Sequence, residues 1–245
     1  PAVRRNRQPT EPVAPYQNIF KFHTSGGITG AWAEENTRDA LFSAMQRREV
    51  YATSGPRMTL RFFAGWDFDQ SIVDDPNAVA TATSGGVPMG GVLYPNAEQS
   101  QSPTFFVMAA ADLMSAPLQR VQVVKGWIDS TGKTHEQVMD VACSDGLEVD
   151  PTTLRCPDNG AGVDTSTCQL VGNTGATQLI TAWTDPSYRA EQGAFYYVRA
   201  LQNPTCRWST YDAMRLGNKP NPAAPATVRE RVWSSPIWID VSSIQ

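Results

Sequence analysis

From residue 58 onward the chain is cut into short apolar runs: Met58–Phe63, Thr104–Ala109, Leu118–Ile128, Glu136–Ala142, Leu179–Trp183, Ala194–Leu201 and Ile237–Val241. Each is bounded by Gly, Pro, Asp or Ser, and several alternate, as Arg120-Val121-Gln122-Val123 does. A period of two marks a half-buried strand. Six or seven such strands, separated by turn signals, predict a mainly β chain folded as an antiparallel β-sandwich. Ahead of them one segment has the helical period. Ala40, Leu41, Ala44 and Met45 form an apolar face on a helix predicted over about Asn36 to Glu49. Asn36 or Thr37 can cap it, Asp39 suits its positive end, and Arg47 and Arg48 suit its negative end. Val50–Thr53 and a Ser54-Gly55-Pro56 turn follow. Residues 1–30 read as an irregular lead-in and 203–235 as an irregular excursion before the last strand; no internal repeat is evident.

Composition narrows the function classes. The chain has 245 residues, 41% of them hydrophobic and 18% charged, a globular profile able to bury a core. No apolar run approaches the roughly 20 residues that a membrane-spanning helix needs. A net charge of −4 argues against nucleic acid as a partner. Only Arg4, Arg5 and Arg7 make a basic cluster, and it reads as a terminal arm. The first residue is Pro1, with no apolar leader after it. Either a leader has been removed or the chain starts within a longer polypeptide.

Cys143, Cys156, Cys168 and Cys206 contain no C-x-x-C pair, which weakens a zinc or redox reading. An even count in loop-rich surroundings favours two disulfides, hence an oxidising compartment: periplasmic or secreted. Three pairings are open; joining neighbours would close one short and one longer loop. Two histidines, His23 and His135, lie far apart without H-x-H or H-E-x-x-H spacing, so no metal ligand is assigned within this chain. Two acidic clusters, Asp67, Asp69, Asp74, Asp75 and Asp145, Glu148, Asp150, Asp158, Asp164, offer hard oxygens for Ca²⁺ in a loop. They lack the spacing of an EF-hand, and solvated acidic loops are the commoner reading. Neither a G-x-S-x-G elbow nor a phosphate-binding glycine motif is present. Seven Trp and seven Tyr would allow an exposed carbohydrate platform, but Trp66, Trp127 and Trp183 adjoin strand patterns and are assigned to the core.

Functional chemistry concentrates in Gly30–Arg57. Glu34, Glu35 and Arg38 open the helix, while Thr53, Ser54 and Arg57 follow it in a strand and turn. Together they could meet an anion or a metal-bound substrate; the plainer reading is a solvated helix and a structural turn.

The segment GGITGAWAEENTRDALFSAMQRREVYATSGPRMTLRFFAGWDF, with GGVPMGG, APLQRVQVVKGWID, VACSDG, RCPDNGA, AFYYVRALQNPTCRWSTYDAMRLG and RVWSSPIW, resembles the family catalogued as domain of unknown function 3604. That family is related to the PHP (polymerase and histidinol phosphatase) metallohydrolases. The resemblance runs over about residues 26–240, to the C-terminal part of such proteins. It implies that H-x-H and D-T-H ligand motifs stand upstream, in a PHP-like half that would be this chain's partner and would hold the divalent metal ions. Residues 1–57 would be the tail of that α/β half and 58–245 an appended β-sandwich with disulfide-stapled loops.

The implied function is the C-terminal portion of an exported, PHP-like metal-dependent hydrolase of undefined substrate, inactive as this piece alone. Hydrolysis would run through metal-activated water. Arg38 and Arg57 would steady an anionic group, and Glu34 or Glu35 would orient them. The alternative is a non-catalytic β-sandwich module that binds glycans or partner proteins, for which an exposed aromatic strip would be the sign. One structural expectation follows from the division: the helix should fail to bury its whole Ala40-Leu41-Ala44-Met45 face.

Overall fold

The computed structural model describes residues 26–95 and 101–241. His23 and the basic cluster Arg4, Arg5 and Arg7 lie outside them. In chain order the elements are β1 (Ile28–Ala31), α1 (Arg38–Gln46), β2 (Val50–Thr53), β3 (Thr59–Gly65), α2 (Ala78–Gly85), β4 (Val87–Pro88), β5 (Val92–Leu93) and β6 (Thr104–Ala110). There follow β7 (Leu118–Ile128), β8 (Thr134–Cys143), β9 (Gly162–Asp164), β10 (Gln169–Val171), β11 (Gln178–Thr184), β12 (Ala194–Gln202), β13 (Thr205–Cys206), α3 (Trp208–Arg215), β14 (Thr227–Val228), β15 (Arg231–Ser234) and β16 (Ile237–Ile239).

Period-two patterning sorts these strands into two packed sheets. β7 and β12 pair antiparallel along their length and anchor an eight-stranded sheet completed by β8, β15, β2, β1, β16 and β5. Every pairing in it is antiparallel except β16 with β5. A four-stranded sheet of β11, β6, β3 and β4 lies against it. Between them sit Leu60, Phe62, Phe105 and Val107 from the small sheet and Val121, Val123, Tyr196 and Val198 from the large one, all buried. The rings of Phe105 and Tyr196 meet across the gap at 4.4 Å between centroids. Each such side chain contributes roughly 1.5–3 kcal/mol by leaving water. The chain is therefore mainly β, a sandwich of the kind its alternation predicts.

The two sheets differ on their outer sides. A 3-10 turn at Gln70–Val73 and α2 cover the small sheet, burying Phe63, Phe106 and Ala182 against Phe68, Ile72 and Ala82. Burial on both faces is why β6 reads as an almost unbroken apolar run. On the large sheet the outward residues of β12 include Phe195 and Arg199, and they stay partly open to solvent.

Two sequence expectations are corrected. The irregular lead-in read over residues 1–30 gives way to β1 at Ile28. Residues 203–235 are not irregular: they hold β13, α3, β14 and β15, and β15 pairs with both β12 and β2 inside the large sheet. A four-residue strand starting at an arginine is too short to show its period. α2 was unmarked because AVATATSG has no apolar stripe. His135 sits within β8, opposite Trp127.

The helix is α1, shorter than its pattern, with Thr37 Oγ1 capping it by accepting from the Ala40 N–H at 3.3 Å. Of its apolar face only Ala44 is fully buried; Met45 is 55% exposed and its neighbour Phe42 60%. The boundary at residue 57 falls where the chain leaves the large sheet for the small one. β1 and β2 stand before it, yet β2 bonds to β15, with Thr53 opposite Val232.

Two disulfides form, Cys143–Cys156 and Cys168–Cys206, with Cα separations of 5.6 and 5.5 Å. The first staples β8 to the loop after it and the second ties the β9–β10 ribbon to β13. One charged group lies in the sandwich interior: Lys125 Nζ is 2.6 Å from Asp185 Oδ2, with both side chains at most 3% exposed.

Candidate functional site

The six residues singled out in sequence do not converge. β1 and β2 run antiparallel, Ala31 opposite Val50 and Ile28 opposite Thr53. Glu34, Glu35 and Arg38 therefore follow one end of this pair, and Thr53, Ser54 and Arg57 follow the other. At the first end Glu35 accepts from the Thr37 hydroxyl at 3.0 Å, beside the helix cap, and Glu34 and Arg38 are exposed. At the second end Thr53 is buried, and Ser54 Oγ accepts from the Arg231 N–H at 2.9 Å, fastening the turn to β15. The Arg57 N–H donates to Asp112 Oδ2 at 2.7 Å; that bond and a second, from the Met114 N–H, hold the Asp112 carboxyl below the ordinary carboxylate range.

Most of the acidic residues offered for calcium serve their own turns. Asp69 accepts from Ser71, Asp75 from Asn77 and Thr81, Asp150 from Thr152 and Thr153, and Asp164 from Ser166 and Thr167. Asp145 receives the Gly175 N–H at 2.8 Å, and Asp158 receives that of Gly160. These bonds explain the carboxylates through turn chemistry. Among the described residues no group of three or more His, Cys, Asp or Glu lies together in a metal-holding arrangement.

The best-formed site lies on the outer face of the large sheet. Register places Glu136, Gly126, Phe195, Trp238 and Val92 in one row across β8, β7, β12, β16 and β5. Their neighbours along the strands, Tyr196, Ile237 and Ile239, point the other way and are buried. Gly126 is what lets Phe195 lie down: a Cβ there would come within 2.3 Å of the Phe195 ring. The ring rests on bare backbone, and the side chain remains 38% exposed. Trp238 is flanked by the guanidinium of Arg48, 5.4 Å from its centroid. Arg48 reaches it from the end of α1 with φ of +59°, and its Nε donates to the Gly90 carbonyl at 2.9 Å. Gly90, at φ +88°, passes so close that a Cβ would strike Arg48.

Together these residues line an open cleft of about 880 Å³. Ile128 and Thr134 stand along one side, while the Trp127 and His135 rings stack 5.2 Å apart on the inward side of β7 and β8. His135 Nε2 lies 2.7 Å from Asp129 Oδ2. Bonds from the Thr131 hydroxyl first, then His135 and the Lys133 N–H, hold Asp129 well below its ordinary pKa. The cleft thus has an aromatic floor, a cation at one edge and the exposed carboxylate of Glu136 at the other. Such a lining suits reversible binding of a flat, part-apolar group.

Of the three tryptophans assigned to the core, Trp66 lies within it, and Trp127 and Trp183 are only partly buried against it. It missed the platform because Phe195 and Trp238 stand in strands where only the pairing register reveals the outward side. The Gly126-against-Phe195 pairing was the available signal, since a glycine inside a long strand marks a close approach.

A β-sandwich with an aromatic cleft on one outer face sets a fold and a surface, not a particular reaction. The chain matches the family described as "Protein of unknown function (DUF3604)" over residues 2–241, and it belongs to that family. No curated protein and no solved structure matches the chain.

Proposed function

We propose that this chain is the ligand-binding β-sandwich of a larger exported protein, and that the Phe195–Trp238 cleft takes a sugar ring. The observation that carries the reading is the Phe195 ring lying against Gly126 while the residue stays 38% exposed. A pyranose presents an apolar C–H face to stack on such a ring and a rim of hydroxyls. Arg48 supplies donors and Glu136 acceptors for that rim. The cleft volume of about 880 Å³ is within the range of small-ligand sites. Export is supported by the two disulfides. The test is calorimetric titration with a panel of neutral oligosaccharides, comparing the natural chain with Phe195→Ala. At least one sugar should bind, and the substitution should weaken it by about tenfold, equivalent to roughly 1.4 kcal/mol. Failure of every sugar, or equal binding by the variant, would remove the reading.

A second reading concerns the rest of the protein. The sandwich would be the C-terminal portion of a PHP-like metal-dependent hydrolase, with the divalent metals held upstream. It is supported by the apolar side of α1, where Phe42 and Met45 are exposed beside Leu41 and Arg38. A PHP-like half packed there would cover them. Hydrogen exchange of residues 38–46 in the chain alone and in the full-length protein tests this; equal protection in both would count against it.

A further inference from the structure

About 20 Å along β7 from Gly126, at the roughly 3.3 Å rise of a strand, the same outer face changes character. Arg120 and Arg231 stand on either side of Leu201 in register, and Arg199 lies two residues back on β12, opposite Gln122. Arg155 arrives from the disulfide loop next to Cys156, and Arg229 from the two-residue link between β14 and β15. Five guanidinium groups thus gather where two carboxylates are at hand, Asp140 and Glu230, in a chain whose net charge is −4.

Asp140 is fully used. It accepts from the Gln122 amide at 2.5 Å and the Cys156 N–H at 2.8 Å, with Arg155 Nη1 at 3.5 Å. Arg199 is tied to the same network through the Gln122 carbonyl oxygen. Arg120 Nε lies 3.7 Å from Asp140 Oδ2, too far to donate to it. Among the described residues, Nε of Arg120 and Nε of Arg229 are buried without a hydrogen-bond acceptor, and Oε2 of Glu230 is buried without a donor. Burial, countered by Asp140 and reinforced by Arg229, Arg155 and Arg199, lowers the pKa of the Arg120 guanidinium. Guanidinium groups crowd together at such cost mainly where an anion is to be shared among them.

We infer that Arg120, Arg155, Arg199 and Arg229 form a site for a tetrahedral oxyanion, phosphate or sulfate, either free or carried as an ester on a larger ligand. Such an anion offers acceptors to the guanidinium groups of Arg155 and Arg199, which are open or half-open to solvent, and its negative charge offsets part of the excess of five guanidinium groups over two carboxylates. The site is separate from the aromatic cleft and stands whether or not that cleft binds sugar.

The test is a titration of the whole chain with inorganic phosphate and, in parallel, with glucose 6-phosphate, sodium chloride holding the ionic strength constant. Binding is read from the arginine Nε–H resonances and by calorimetry. Saturable one-to-one binding that shifts the Arg120 and Arg229 signals is expected. Equal affinity for the two probes assigns the site to the free anion; tighter binding of the ester assigns it to a substituent on a larger ligand. Arg120→Met should weaken binding by about tenfold. Because that residue is partly buried, Arg155→Gln at the exposed rim provides a second variant, expected to weaken it severalfold without unfolding. Shifts no larger than chloride alone produces, or binding unchanged in both variants, would overturn the proposal.

Discussion

Two charged clusters sit on the large sheet, and they are built on opposite plans. On the inner face Lys125 meets Asp185 one to one. Lys125 gives its three donors to Asp185 Oδ2, the Ser187 carbonyl and the Ser187 hydroxyl at 2.6, 3.0 and 3.1 Å. Asp185 takes the Tyr196 hydroxyl at 2.7 Å and both the N–H and hydroxyl of Ser187 at 2.8 Å. Nothing is left over. On the outer face several arginines surround Asp140, donors remain unused, and the group is open to solvent on one side. The first is a closed structural device that holds the sandwich together. The second, about 20 Å along β7 from the aromatic row, leaves donors without acceptors and a part-exposed guanidinium, that of Arg155, at its rim. Charge alone therefore says little about function; the accounting of donors and acceptors separates the two clusters.

The largest expected effect is on the closed cluster. Asp185→Asn leaves Lys125 buried and uncompensated, and should cost about 3–5 kcal/mol of folding free energy. Urea denaturation measures it. The same carboxylate gives the chain an acid dependence. Burial pushes the Asp185 pKa up, but the bonds from Lys125, Tyr196 and the Ser187 N–H outweigh it and leave it lowered. Its stabilisation is therefore complete above about pH 4, the unfolded value, and is lost as pH falls through the lower folded value. Unfolding measured from pH 7 down to 3 should show this fall, and Asp185→Asn should flatten it.

Next in size are the disulfides, which staple loops around both faces. With separations of 13 and 38 residues, the chain-entropy model gives about 3 and about 4 kcal/mol. Alkylation of the unreduced, denatured chain should label no cysteine, and reduction should lower the denaturation midpoint. Labelling of four thiols would contradict both the pairing and the proposed export.

The smallest effect on stability, and the sharpest on function, is expected at Gly126. Gly126→Ala forces the Phe195 ring off the sheet, yet that ring is partly exposed and free to swing outward. Stability should change by about 1 kcal/mol or less. Sugar binding should fall as far as in Phe195→Ala. A variant that loses several kcal/mol instead would mean that the ring belongs to the core.

How much of this was legible in the sequence depends on the interaction range. The six long strands, β3, β6, β7, β8, β11 and β12, and α1 follow from local period, and the sandwich follows from them. The even cysteine count pointed to two bridges, but spatial proximity had to choose their partners. The convergence expected in Gly30–Arg57 did not appear because antiparallel pairing sends Glu34–Arg38 and Thr53–Arg57 to opposite ends of one ribbon. Phe195 beside Trp238, and Arg120 beside Leu201 and Arg231, are meetings between distant segments that only register creates. The interior Lys125 was equally hidden, lying in line with the inward Val121 and Val123 of β7.

The central claim is that the outer face of the large sheet is the binding face. It is tested most directly by mapping a bound ligand's footprint from backbone amide shifts, using whichever oligosaccharide binds in titration. The expected footprint is confined to Gly126, Phe195, Trp238, Glu136 and the Arg48 end of α1, with the small sheet and α2 unchanged. A footprint centred on Phe42 and Met45 of α1, or on the α2 side of the sandwich, would contradict it.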